Sequence, residues 1–378
     1  MLLRLTFLIL LSTGLVWAQD DSATQSLRHA VELQQSGHYA EAIDAYRIFL
    51  KAHPEVAAVR SNLGAALAHE GRYTEAIQEY TLALKADSSN YGIRFNLGLA
   101  FYKMGDVVKA VHEFETVYTG QPATDPNHQR IALLLAECYL RQGENERVIA
   151  LLDPMAASNP DNHALDYLLG TALLREGQTD KGALLIQRLL ENGDTAEAHM
   201  LMAYTQLKAN QKKAAMDEVN RAIELNPNLP EAYSLRGRLA YLESDMTGAE
   251  ASFSKAVALD PNDFDARMWL GTLLREQGRF DRARANLEQA LQLRPREFRV
   301  RYQYAKLCSD EGDDKRAAVL LEALEKDSPD FLEVHRSLAT IYFRIGRPAD
   351  GRRERKIAEE MGATIRQQDE ARGRSLTK

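Results

Sequence analysis

Cysteine is scarce. The 378 residues hold two, Cys138 and Cys308, far apart in the chain, which excludes a disulfide-built scaffold and a cysteine-rich metal site and leaves two buried, unpaired thiols as the expectation. Positive charge is short as well: 47 Lys and Arg against 54 Asp and Glu give a formal charge of −7. A nucleic-acid binder working through a globally basic surface is thereby excluded, and no nucleic-acid partner is expected. Motifs that carry chemistry are missing too. There is no Gly-rich phosphate loop and no Gly-x-Ser-x-Gly, and His112-Glu113 runs on into Phe114-Glu115-Thr116 where a zinc protease needs a second His. The nine histidines are scattered, and Asp260-Pro261-Asn262-Asp263 lacks the Gly of a calcium loop. The expectation is a protein that is not an enzyme and holds no metal and no cofactor.

Long apolar runs are absent after the first eighteen residues. Residues 1–18 carry one base, Arg4, an apolar run from Leu5 to Leu11 continuing through Leu15 to Trp17, and the small-residue end Val16-Trp17-Ala18. That is the three-part layout of a secretory signal, with cleavage expected after Ala18 and a short linker at 19–22. An uncleaved anchor is the alternative, but the stretch is shorter than the roughly 20 residues a spanning helix needs. The mature chain would carry no transmembrane span and would be exported, to a periplasm or to the exterior.

What is abundant is a period of 34. Gly37, Gly71 and Gly105 open a register that continues through Gly143, Gly177, Asn210, Ser244, Gly278, Gly312 and Gly346. It divides residues 23–362 into ten windows: 23–56, 57–90, 91–124, 129–162, 163–195, 196–229, 230–263, 264–297, 298–331 and 332–362. Each reads as two helical stretches joined by the Gly turn. The eighth position is Gly or Ala in every window: Ala30, Gly64, Gly98, Ala136, Gly170, Ala203, Gly237, Gly271, Ala305 and Ala339. The twentieth is nearly as small, and seven windows place Pro at the thirty-second, as at Pro54, Pro261 and Pro329. Small residues let two helices approach closely, the turn residue takes the left-handed conformation, and Pro stops the second helix. Asn210 can serve in that turn because Asn tolerates positive φ. A single pair cannot bury both its faces, so stability is expected from stacking.

Ser61-Asn62-Leu63-Gly64-Ala65-Ala66-Leu67, followed by Gly71-Arg72-Tyr73 and Glu75-Ala76-Ile77, resembles the tetratricopeptide repeat, and Arg267 to Gly278 with Phe280 and Ala283 does so equally. The resemblance implies an all-α protein, an α-solenoid forming a right-handed superhelix of about ten helix-turn-helix repeats, whose inner groove holds peptides or protein segments. Departures cluster in the middle. A four-residue insertion at 125–128, a short fifth window and Gln206 at a usually apolar position point to a local irregularity, with a hinge there. The polar tail, 363–378, and the basic run Arg352–Lys356 are expected to cap the last repeat, with an acidic partner or anionic surface as the alternative.

On the first helix of each window, positions 2, 5, 9, 12 and 13 share a face, and the resemblance implies that this stripe lines the groove. The partner-binding candidates on it are Phe95, Tyr102, Lys103, Arg141, Tyr167, Arg175, Tyr204, Lys208, Arg238, Arg275, Tyr302, Lys306, Phe343 and Arg344. The whole stripe carries eleven bases against eight acids, so an acidic or extended segment with apolar anchors is the implied guest. The competing reading is structural: bases near the end of a first helix complement its dipole whatever the protein does. Two binding subtypes fail residue by residue. A carboxylate clamp would need Lys and Asn where Leu27 and Val31 precede Asn62, and a sugar-transferase-like Asn ladder would need Asn where Leu134, Leu168, Leu201, Leu235 and Trp269 stand. The reading is a non-enzymatic exported scaffold for a protein or peptide in envelope assembly or secretion. The alternative is a glycan-binding accessory of polysaccharide export, since aromatic faces stack on sugars.

Overall fold

The computed structural model describes residues 21–191 and 193–376; the expected signal segment 1–18 lies outside the described residues. Every regular element among them is an α-helix, and the chain divides into two compact units meeting between Ala209 and Asn210. The first holds α1 (Asp21–Gln35), α2 (Tyr39–Ala52), α3 (Ala57–His69), α4 (Tyr73–Ala86), α5 (Tyr91–Met104), α6 (Val107–Gly120), α7 (His128–Gln142), α8 (Asn145–Ala156), α9 (His163–Arg175), α10 (Thr179–Glu191) and α11 (Ala196–Lys208). The second holds α12 (Lys212–Leu225), α13 (Pro230–Leu242), α14 (Met246–Leu259), α15 (Phe264–Glu276), α16 (Phe280–Leu293), α17 (Phe298–Asp310), α18 (Asp314–Asp327), α19 (Leu332–Arg344) and α20 (Pro348–Leu376). Within each unit a helix packs on its sequence neighbours, and first helices also touch the next first helix, as α7 does α9 and α15 does α17. This is the α-solenoid arrangement the period predicts. The insertion at 125–128 does not divide the chain: α6 and α7 pack across it, and Asp125 accepts the Asn127 N–H on its side chain at 2.7 Å. The helix α20 runs on to Leu376, so residues 363–376 of the polar tail continue the last helix.

The turn inside each pair works as its residues require. At Gly105, φ +85° lets its N–H reach the Tyr102 carbonyl at 3.1 Å while Asp106 N–H reaches Phe101 at 2.9 Å, closing the open carbonyls of α5. Asn210 takes the same conformation at φ 58° and Ser244 at φ 63°.

The small eighth position is explained by what faces it. A Cβ added at Gly64 would lie 2.7 Å from the Tyr80 ring, and one at Gly98 2.7 Å from Phe114. Gly237 meets Phe253 and Gly271 meets Leu287 in the same way, each knob sixteen residues on, in the second helix. Tyr80, Phe114, Phe253 and Leu287 are all fully buried. Each pair is thus a hole in one helix filled by a knob from the next, which is how close-packed interiors tolerate so little change in volume. Cys138 and Cys308 are buried free thiols, and burial pushes both up from their ordinary value.

A second recurring contact sits at the fourth position of the first helix. Arg60 donates to the Pro54 carbonyl at 2.8 Å and to Glu79 at 2.8 Å; Arg94 reaches Ser88 O and Glu113, both at 3.1 Å; Arg267 reaches Pro261 O at 2.9 Å and Asn286 at 3.2 Å. In each case the carbonyl lies six residues back, in the turn entering the pair, and the side-chain acceptor nineteen residues on, in the second helix. One side chain therefore satisfies an exposed turn carbonyl and ties together three segments. The α9–α10 pair inverts the device. Its fourth position is the buried Asp166, and Arg188 of α10 supplies the cation, 3.1 Å from Asp166 and 2.9 Å from the Pro160 carbonyl, again six residues before the fourth position.

Candidate functional site

The stripe residues form a relay between successive first helices. In the first unit the Arg130 guanidinium lies over the Phe95 ring at 5.0 Å, Arg141 lies over Tyr102 at 5.1 Å, and Tyr102 O–H donates to Glu137. Burial and the Glu137 charge hold the Tyr102 hydroxyl well above the usual tyrosine range. Further along, Arg175 donates to the Leu140 carbonyl at 3.4 Å and faces Tyr204 at 6.0 Å, and Lys208 donates to the Arg175 carbonyl at 3.0 Å. In the second unit Arg238 lies 6.0 Å from Trp269, Arg275 pairs with Asp310 at 2.6 Å, and Tyr241 O–H donates to Glu276 at 2.8 Å. Burial first, and then Glu276, push the Tyr241 hydroxyl up to about 12.

These contacts correct the expected chemistry of the aromatic candidates. Phe95 is 4% exposed, packed against Phe114 at a centroid distance of 5.8 Å, and belongs to the core. Tyr167 and Tyr204 pack on the small cluster of Leu174, Leu189, Ala198 and Leu201. Phe343, though 36% exposed, has Arg355 of α20 over its ring at 4.8 Å, and Tyr302 meets Phe331 edge-on at 5.6 Å. The sequence shows that these rings share a face; what lies against them is a cation or ring from a neighbouring helix or turn, of the adjacent repeat for Phe95, Tyr102 and Tyr204 and of the same repeat for Tyr302 and Phe343. Among the basic candidates, Lys103 and Lys208 are exposed, while Arg141, Arg175, Arg238, Arg275 and Lys306 are half-buried.

The structure does bring three candidates together. Between α17 and α19 lies a cleft of about 260 Å³ lined by Tyr302, Lys306 and Arg344 with Arg336, Ser309, Asp310, Glu333, Ser337, Thr340 and Ile341. Tyr302 and Ser337 hydroxyls bond across it at 3.1 Å, and Arg344 reaches Ser309 at 3.3 Å and Asp314 at 3.5 Å. Lys306 and Arg336 make no ion pair among the described residues. Two free cations beside hydroxyl donors can receive a carboxylate, because desolvation at a cleft strengthens a charge-assisted hydrogen bond. The candidates in the first unit are not part of this cleft. The polar lining contributed by Ser309, Ser337 and Thr340 escaped the sequence reading, because these short side chains stand beside the charged stripe positions and carry no signal alone.

Helices paired through a left-handed turn, with a hole-and-knob contact that recurs at Gly64, Gly98, Gly237 and Gly271, define a helical-repeat solenoid. The chain belongs to the tetratricopeptide repeat family: one profile of that description matches residues 27–91 and 167–230, and another matches 104–170, 240–285 and 274–341. No curated protein sequence matches the chain. Among solved structures, a monomeric mutant of IFIT1 with Gppp-AAAA is 16% identical, with 90% of each chain covered and a TM-score of 0.51. The human IFIT1 dimer with PPP-AAAA is 17% identical over 91% of this chain and 92% of that one, at 0.49. MamA 41-end from Desulfovibrio magneticus RS-1 is 18% identical over 46% of this chain and 97% of its own, at 0.41. At such identities the likeness speaks for the fold alone. Tetratricopeptide repeats make protein-interaction scaffolds, and families built from them are typically non-enzymatic. No helix among the described residues is long and apolar enough to cross a membrane.

Proposed function

We propose that the protein is an exported, non-enzymatic scaffold that holds an acidic, extended protein segment against its first-helix stripe, in envelope assembly or secretion. The observation that carries this reading is the cleft between α17 and α19, where Lys306 and Arg336 stand without ion-pair partners among the described residues and beside hydroxyl donors, while Arg141, Arg175, Lys208, Arg238 and Arg275 of the stripe face acids, carbonyls or rings. A protein segment is favoured over a glycan because Phe95, Tyr102, Tyr204 and Phe343 each have a guanidinium against the ring, which removes the bare aromatic face that sugar stacking needs.

The test for the segment is fluorescence anisotropy with Glu-rich and Lys-rich extended peptides of equal length. The Glu-rich peptide should bind more tightly, and Lys306→Ala with Arg336→Ala should weaken it at least about tenfold at unchanged melting temperature. Equal affinity for both peptides, or no effect of the double variant, sinks the cleft assignment. Export is tested separately by recovering the chain from the envelope fraction and sequencing its N-terminus: a start at Gln19 supports it, and an intact Met1 in the cytosolic fraction overturns it.

A further inference from the structure

His335 occupies the fourth position of α19, where the α3, α5 and α15 helices carry Arg60, Arg94 and Arg267. Its contacts are the same two. The Nε2–H donates to the Pro329 carbonyl, six residues back, at 2.8 Å, and Nδ1 lies 2.8 Å from Oε2 of Glu354, nineteen residues on in α20. Both side chains are buried, at 3% and 0% exposure. The latch that arginine provides permanently elsewhere is here made by a side chain that can lose its charge near neutral pH. We propose that His335 and Glu354 form a proton-operated latch, which holds α20 on α19 while the imidazole is protonated and loosens α20 when the proton leaves.

The geometry gives the mechanism. Because Nε2 is committed as a donor to Pro329, the second proton of the imidazolium sits on Nδ1 and points at the carboxylate. Removing it leaves a nitrogen lone pair facing a carboxylate lone pair inside the protein; the other neutral tautomer keeps the Glu354 bond but turns a lone pair on the Pro329 carbonyl, so either way the ion pair and one of the two latch contacts are lost and α20 is held less firmly. The charged groups around the imidazole are few. From α20 come Glu354 and Arg353, whose Nε donates to Glu354 Oε1 at 3.0 Å; from α18 comes Glu325. Burial lowers the proton affinity of His335, but Glu354, the Pro329 carbonyl and Glu325 outweigh it, and the net direction is upward. A group raised in the folded state stabilises fully below its unfolded value, about 6.5, and its contribution is lost as pH rises through the folded value. The latch is therefore closed on the acid side and opens as pH rises through the folded value. The carboxylates of Glu325 and Glu354 with His335 lie within 4.8 Å of one another, a spacing that suits a metal ion. The imidazolium and Arg353 already balance both carboxylates, so a proton suffices.

Hydrogen exchange with mass spectrometry on the full chain tests this at pH 6 and pH 8, corrected for intrinsic exchange and referenced to α16. Protection of α20 amides in 348–361 should fall several-fold between the two, because the imidazolium's contribution is lost as pH rises past the unfolded value. His335→Arg, which restores the side chain used at 60, 94 and 267, should show no such fall, and neither should Glu354→Gln, which also serves if the arginine variant fails to fold. An unchanged protection ratio in the natural chain, or a fall that persists in both variants, overturns the proposal. So does a fall that EDTA abolishes, which would mean a bound metal ion rather than a proton.

Discussion

The α3–α6 region and the α9–α11 region lie in one unit and share one register, yet they solve it with different chemistry. In α3–α6 each hole is filled by an aromatic knob, Tyr80 against Gly64 and Phe114 against Gly98. The latch cations Arg60 and Arg94 belong to the first helix and their acids to the second. In α9–α11 the hole at Gly170 faces Leu201 and Leu185, and Gly182 of α10 faces Leu174 of α9. The latch there is reversed, Asp166 on the first helix and Arg188 on the second. The comparison teaches that the repeat conserves a sum and not a residue: hole plus knob must fill a fixed volume, and the turn carbonyl must find a cation from either side.

If the knobs are what differ, removing them should expose it. Phe114→Ala should cost about 4 kcal/mol, and Leu185→Ala about 2–3 kcal/mol, because the lost volume and the residual cavity are larger for the ring. Urea unfolding midpoints followed by circular dichroism would measure both. Equal losses would mean that the α9–α11 region is as tightly packed as α3–α6, which would break the contrast.

The reversed latch gives the next largest effect. Arg188→Met leaves Asp166 buried without its cation and should cost about 2–3 kcal/mol at pH 7, against about 1 kcal/mol for Arg94→Met, whose Glu113 keeps some access to water. The two should also separate by pH. Burial already raises the Asp166 carboxyl above its ordinary value, with Arg188 opposing. A raised acid is least destabilising below its unfolded value, about 3.9, and most so once pH has risen through the folded one. The Arg188→Met penalty should accordingly shrink as pH is lowered from 7 toward 4.5. A penalty constant over that range would show that Arg188 acts through its carbonyl contacts to Pro160 alone.

Much of this was legible in the residues and some was not, for identifiable reasons. The eighth position is readable because close approach of helices admits only Gly or Ala, so the chemistry repeats with the geometry. The latch is hidden because its geometry repeats while its chemistry changes: Arg at 60, 94 and 267, His at 335, and a reversed Asp166–Arg188. A cation at the fourth position with an acceptor nineteen residues on, as in Arg60 with Glu79, was the available signal. The stripe was half-legible. A single helix's periodicity places Phe95 and Tyr102 on a common face, but the guanidiniums of Arg130 and Arg141 that cover them arrive from the next first helix. Only three-dimensional stacking reveals that these rings are occupied.

The holes themselves sharpen the contrast at a smaller scale. At Gly98→Ala the new methyl meets the Phe114 ring at 2.7 Å, and a fully buried ring has nowhere to go, so a loss of about 1–2 kcal/mol is expected. At Gly170→Ala the contact is the Leu201 Cδ1 at 2.7 Å, the far end of a side chain with rotamer freedom. Ala also favours helix over Gly by roughly 0.5–1 kcal/mol, so this change should be close to neutral in the same urea titration. A Gly170→Ala loss as large as that of Gly98→Ala would show Leu201 to be as immobile as the ring.

The smallest effects belong to the stripe, where they separate structural charges from available ones. Arg275 is half-buried and pairs with Asp310 at 2.6 Å and Glu276 at 3.2 Å, so Arg275→Ala should lower stability by about 1 kcal/mol. Lys306 has no ion pair among the described residues to lose, and Lys306→Ala should stay within about 0.5 kcal/mol of the natural chain. Differential scanning fluorimetry resolves that difference. Should Lys306→Ala be the more damaging of the two, the cleft between α17 and α19 would depend on that ammonium for its own integrity. Its cation would then be structural like its neighbours, and the carboxylate of a bound segment would have to be met elsewhere on the stripe.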